Sequence, residues 1–136
     1  TTTWNDVDAN GHVRNTAYSE YATHARVSLF QAYGLPPTSF IEWRTGPVLL
    51  KEEIHYRREL FMQEEIQITC AVRAASEDFK KYAFEQQIIN SKGKLAANIF
   101  IEGVWIHLDE RKVTPPPEPI RSVCARFPRT GDFEWL

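Results

Sequence analysis

Residues 6–34 read DVDANGHVRNTAYSEYATHARVSLFQAYG, and the division of this stretch into turn and helix decides the fold. From Thr16 to Tyr33 the apolar residues Tyr18, Ala22, Ala25, Leu29 and Ala32 recur every three or four positions, which is the spacing of one helical face. Such a helix is about 27 Å long, enough to lie across a sheet. Asn15 or Thr16 is placed to cap its start, Glu20 falls in its first turn, and Gly34 followed by Pro36-Pro37 stops it.

The rest of the chain supplies strands. Ile54 and Tyr56 alternate with charged neighbours in EIHYRREL, as do Ile66, Ile68, Cys70 and Val72 in EIQITCAVR. YAFEQQIIN and LAANIFIEGVWIHL continue the pattern. Ser91-Lys92-Gly93-Lys94 joins them, and its glycine suits the positive φ of a hairpin. Gly103 interrupts the last and longest strand, marking a bulge or a close backbone approach. A short strand at TTTW is expected before the helix, and VTPPPEPIRSVCARF leaves the sheet through prolines toward a short helix. One early helix with strands after it predicts an α+β fold, the helix packed on one sheet face.

Bulk properties limit the function. With 136 residues the chain is expected to be a single domain spanning 1–136. Sixteen Lys and Arg against eighteen Asp and Glu give a formal charge of −2 with no long run of one sign, which argues against nucleic acid and a polybasic membrane anchor. No apolar stretch approaches the ~20 residues that span a bilayer, so a soluble protein is expected. Position 1 is Thr rather than Met, and no signal-peptide pattern follows. The expectation is a numbering that begins part-way into the native chain, with an N-terminal strand clipped. Cys70 and Cys124 have neither metal-ligand spacing nor a disulfide framework around them; a reducing, cytoplasmic setting is the default, and a single disulfide is the other reading.

DVDANG matches the start of an EF-hand calcium loop, but that loop needs a bidentate Glu at its twelfth position, here Ala17, and a preceding helix for which there is no room. Asp6, Asp8 and His12 as ligands of a catalytic metal form a weak set, so no metal is expected. Two readings of the turn remain. In one, Asp6, Asp8 and Asn10 only hydrogen-bond their own turn and cap the helix. In the other, a carboxylate stands beside the unpaired amides of a helix N-terminus, donors suited to an anion or a polarised carbonyl oxygen.

WNDVDANGHVRNTAYSEYATHAR resembles the opening signature of the hotdog-fold thioesterases of the 4-hydroxybenzoyl-CoA thioesterase-like family. The matching elements are Asp6 and Asp8, Gly11, His12-Val13-Arg14-Asn15, Tyr18 and Ala25-Arg26. EIHYRRELFMQEEIQI and GVWIHLDERKVTPPP are similar to later parts of that family, so the likeness covers nearly the whole chain. The resemblance implies a curved antiparallel sheet wrapped around one long central helix, with sheets paired edge to edge across subunits and active sites at the subunit interface. It also implies hydrolysis of acyl-CoA or acyl carrier protein thioesters, without a metal or redox cofactor. A homodimer is the minimum expected, with a homotetramer left open.

Carried over residue by residue, the catalytic carboxylate is Asp8, as nucleophile or as general base for water. The Asn15 amide polarises the thioester carbonyl. Asp6, His12 and Tyr18 are supporting residues, and Glu20 is a second candidate carboxylate on the helix. Arg57, Arg58, Lys80 and Lys81 are candidate partners for coenzyme A phosphates. Trp43, Phe61 and Trp105 are candidate walls of an acyl pocket or core residues. Beside the thioesterase stand a non-catalytic hotdog protein that binds acyl groups and a hotdog dehydratase. The dehydratase would need a His base, for which neither His12 nor His24 has a recognisable setting.

Overall fold

The computed structural model describes residues 1–3, 6–9 and 11–136. Helix α1 runs from Asn15 to Ala32, one residue earlier at each end than its periodicity predicts. The Arg14 position caps it without a side-chain bond, so Asn15 is the first helical residue rather than the cap, and no acidic side chain lies in the first turn. The buried face also differs: Ala17, Tyr18, Ala22 and Phe30 are buried, whereas Ala32 is exposed. A residue periodicity of three or four fits more than one stripe, and the sheet selects the one that turns inward.

Pro36 and Pro37 both end α1 and start a second helix, α2 (Pro37–Glu42), which the sequence reading missed. Proline suits a first helical position, because the amide it lacks would be unpaired there anyway. The strands are β1 (Thr45–Tyr56), β2 (Gln67–Ile68), β3 (Ala71–Ala75), β4 (Lys81–Ile89), β5 (Leu95–His107) and β6 (Arg129–Trp135), with α3 (Glu118–Cys124) between the last two. Their order is β1-β5-β4-β3-β6, with β2 also on β4. All pairs are antiparallel except β3–β6. The sheet packs against α1 in one apolar core, giving the α+β hotdog arrangement that the resemblance implies.

Several strand boundaries correct the sequence reading. β1 starts eight residues before EIHYRREL because its first half, TGPVLL, has two consecutive leucines that break the period of two. Leu50 is the extra residue, since Leu49 pairs with Gly103 and Lys51 with Glu102. EIQITCAVR splits into β2 and β3. Between them the Thr69 hydroxyl accepts the Gln87 amide at 2.9 Å, replacing a backbone acceptor in the ladder. β6 was not expected, since RTGDFEW is polar and contains Gly; the free edge of β3 recruits it. The expected TTTW strand is absent from residues 1–3, and Trp4 lies outside the described residues. The β4–β5 hairpin has Gly93 at φ +75°, as its sequence requires, and the short helix after the prolines is α3. No helix among the described residues is long and apolar enough to cross a membrane.

Gly103 is a close approach opposite the bulge. A Cβ there would lie 2.4 Å from the Tyr82 hydroxyl and 2.6 Å from the Val48 carbonyl oxygen. Tyr82 is buried and the Val48 oxygen is backbone, so neither moves aside cheaply. Gly103→Ala is expected to destabilise the fold by about 1–3 kcal/mol, measured as a lower urea midpoint at unchanged m.

Candidate active site

The turn before α1 is built from its own backbone. Asp8 N–H donates to the His12 carbonyl at 2.7 Å and Gly11 N–H to the Asp8 carbonyl at 3.1 Å, while Val7 pairs with Val13. Gly11 sits at φ +81°, a conformation in which a side chain is strained. The His12 amide donates to the Asp8 carboxylate at 3.2 Å. This hydrogen bond fixes the carboxylate at the head of the helix. The part of Asn10 in the turn lies outside the described residues.

The sheet brings a second segment against this turn. Val13 N–H donates to the Leu60 carbonyl at 2.8 Å, and His12 pairs with Phe61. The amides of Arg57 and Arg58 both reach the Ala96 carbonyl, at 2.8 and 3.0 Å. Between helix start and strand end lies an open cleft of about 430 Å³, whose walls include Asp8, His12, Asn15, Tyr18, Tyr56, Arg57 and Arg58. Asp8 and Asn15 are both exposed. Asn15, the first residue of α1, lines the same space; the opening amides of a helix lack α-helical acceptors, and here the Ala17 amide turns back to the Arg14 carbonyl at 3.0 Å. A carboxylate and the first residue of the long helix therefore line one open cleft.

The other sequence-named residues divide. Tyr18 is buried, its hydroxyl donating to the Arg58 carbonyl at 3.3 Å, and burial raises its pKa. Its ring meets Tyr56 edge-on at 5.0 Å, and the Tyr56 hydroxyl donates to the Asn15 carbonyl at 3.3 Å. His12 turns its Nε2 toward Glu59 at 3.2 Å and its ring edge toward Phe61. Glu20 lies on the exposed side of α1, 3.4 Å from Arg14, and is not among the residues lining the cleft. The Arg58 guanidinium donates to the Leu95 carbonyl at 2.7 Å, and Arg57 approaches Asn98 Oδ1 at 3.4 Å. Neither arginine pairs with a carboxylate among the described residues.

Lys80 and Lys81 are not brought to this cleft. Lys81 pairs with Val104, while the two arginines hold Ala96 at the other end of β5. Eight strand residues separate those points, about 27 Å. Trp43 is exposed, Phe61 is exposed against His12, and Trp105 is buried in a separate apolar cavity. Sequence reasoning missed Tyr56, read only as a strand residue, and Glu59. No local signal marks either, because the register of β1 on β5 puts Tyr56 beside the helix start and the segment after β1 brings Glu59 to His12.

Asp6 stands behind the turn. It accepts from the Thr3 amide and hydroxyl at 3.0 Å and from the Tyr21 hydroxyl at 2.7 Å, with the Arg14 guanidinium 3.8 Å away. Partial burial pushes its pKa up, but these donors and the Arg14 charge outweigh that and hold it below the usual carboxylate range. A carboxylate with a depressed folded-state pKa contributes stability above its unfolded pKa of about 3.9, and that stability is lost as pH falls through the folded value. Asp6→Asn is therefore expected to lower the urea midpoint at pH 7. It should also flatten the further decline that the wild type shows below about pH 4.

Cys70 and Cys124 are both free, and burial pushes each thiol up to about 12. No group of three or more His, Cys, Asp or Glu is placed to hold a metal ion among the described residues.

Solved structures share this architecture. The 1,4-dihydroxy-2-naphthoyl-CoA thioesterase of Synechocystis superposes with a TM-score of 0.83 at 19% identity, covering 93% of this chain and 92% of its own. A gentisyl-coenzyme A thioesterase gives 0.79 at 21% identity over 92% and 96% of the two chains. A hypothetical protein of Staphylococcus aureus, determined in complex with CoA, gives 0.86 at 19% identity over 100% and 85%. No curated protein matches the chain in sequence. Residues 2–124 match the Thioesterase-like superfamily, which accounts for most of the chain, and the protein belongs to that superfamily.

Proposed function

We propose that the protein hydrolyses acyl-CoA thioesters to a free acid and CoA at the Asp8 cleft. The observation that supports this reading is that Asp8 and Asn15, the first residue of α1, line one open cleft in a chain of the Thioesterase-like superfamily. Asp8 attacks the thioester carbonyl or takes a proton from the attacking water. The Asn15 amide donates to the oxygen that becomes negative in the tetrahedral intermediate. Tyr18 and Tyr56 hold the helix start and the strand end together, Asp6 and His12 support the turn, and Arg57 and Arg58 supply cations for coenzyme A phosphates.

A homodimer fits the same reading. β6 covers the β3 edge, while the outer edge of β1 has no partner strand among the described residues. An uncovered strand edge offers a row of backbone groups to a second copy. Thiol release from a panel of acyl-CoA esters tests the activity, and release from no member of the panel refutes it. Turnover of acyl carrier protein esters in preference to CoA esters would reassign the carrier.

A further inference from the structure

A second cavity, of about 310 Å³, lies toward the C-terminal half of α1. Its walls are apolar and include Phe30, Phe84, Trp105 and Phe127, with Val27 and the exposed Leu49 of β1 also lining it. It shares no lining residue with the Asp8 cleft. The two lie at opposite ends of β1: Pro47 lines the cavity and Tyr56 lines the cleft, nine residues or roughly 30 Å away.

One cation belongs to the wall of this apolar space. Arg26 lines the cavity, half-buried, with its guanidinium fixed by a chain of hydrogen bonds. It donates to Gln86 Oε1 at 2.8 Å and to the Thr23 hydroxyl at 3.1 Å, and Gln86 in turn donates to the Ala22 carbonyl at 3.0 Å. Both of its acceptors are neutral, and no carboxylate forms an ion pair with Arg26 among the described residues. The nearby carboxylate, Glu52, is engaged by the Ser19 hydroxyl at 2.8 and 3.0 Å. A guanidinium has five N–H donors, so two neutral bonds leave it capacity for an anion. Burial disfavours its charge, which an arriving anion would offset.

We propose that this cavity is a binding site for a monocarboxylic acid with an apolar body, its carboxylate on Arg26 and its body among the aromatic walls. A single cation in an apolar enclosure matches one negative charge better than a phosphate. The volume lies at the lower end of the ~300–1,000 Å³ typical of small-molecule sites. A free acid is also what thioester hydrolysis releases, but the site stands on its own geometry and does not depend on Asp8.

Calorimetric titration tests it with two acid and alcohol pairs, octanoic acid against octan-1-ol and 2-naphthoic acid against 2-naphthol. The pairs separate an alkyl body from an aryl one. The expected result is a preference for the acid of about tenfold or more in at least one pair, the effect of one charge-assisted contact. Arg26→Gln is expected to reduce that preference to about onefold, and Asp8→Asn to leave it unchanged. Equal affinity of acid and alcohol in both pairs, or no binding of any of the four, overturns the proposal. This wild-type comparison holds even if Arg26→Gln fails to fold. A folded Arg26→Gln protein that keeps the preference overturns it too, as does loss of acid binding in Asp8→Asn.

Discussion

Asp8→Asn is expected to reduce acyl-CoA turnover by about 10²–10⁴-fold while leaving the unfolding free energy within about 0.5 kcal/mol of wild type. Asn keeps the size of the side chain and an oxygen for the bond from the His12 amide, so the turn retains its closing contact. What it loses is the negative charge. An amide oxygen neither attacks a thioester carbonyl nor removes a proton from water at neutral pH, and the amides of α1 then polarise a carbonyl that nothing attacks. Residual rate is expected from those donors and from substrate binding. Steady-state thiol release gives kcat and KM separately; the loss should fall on kcat. Full turnover by a folded Asp8→Asn protein would move the reaction centre elsewhere, with Glu20 the next carboxylate to replace.

Trp105→Ala is expected to cost about 3–5 kcal/mol, a large part of the ~5–15 kcal/mol that holds an ordinary domain together. Trp105 is 2% exposed, and its ring lies 6.0 Å from Phe30, 5.6 Å from Phe40 and 6.3 Å from Tyr82. It therefore ties α1, the α2 helix and β4 to β5. The cost of truncation depends on how well the site collapses, and here collapse is hindered because Trp105 already borders a cavity of about 310 Å³. The lost ring would enlarge that void instead of being replaced by neighbours. Urea unfolding should show a lower midpoint at unchanged m, and a loss under about 1 kcal/mol would mean that the neighbouring rings do refill the space.

The turn that carries Asp8 was legible in the sequence because its closing hydrogen bonds are local. Asp8, Gly11 and Asn15 stand within eight residues, and a turn that closes on its own carboxylate needs no distant partner. The helix was legible for the same reason, though its inward stripe was not: Ala32 fits the period but faces solvent, because the sheet decides which side is covered. β4 and β5 are rich in apolar strand-forming residues around a glycine turn and were found, whereas β1 hid its first half behind a bulge and β6 has no strand composition. Arg57, Arg58, Lys80 and Lys81 look alike in sequence. Their separation to opposite ends of β5 follows only from strand register.

By itself the sequence determined the carboxylate turn, the long helix behind it and the hairpin that follows, since each rests on spacing within one segment. Tertiary structure alone decided that Tyr56 and Arg57 reach the helix start, that Lys80 and Lys81 do not, and that Arg26 lines an apolar cavity without an ion pair among the described residues. Those outcomes depend on register and on which helix face is covered. Both are set by contacts between residues tens of positions apart, and no local pattern encodes them.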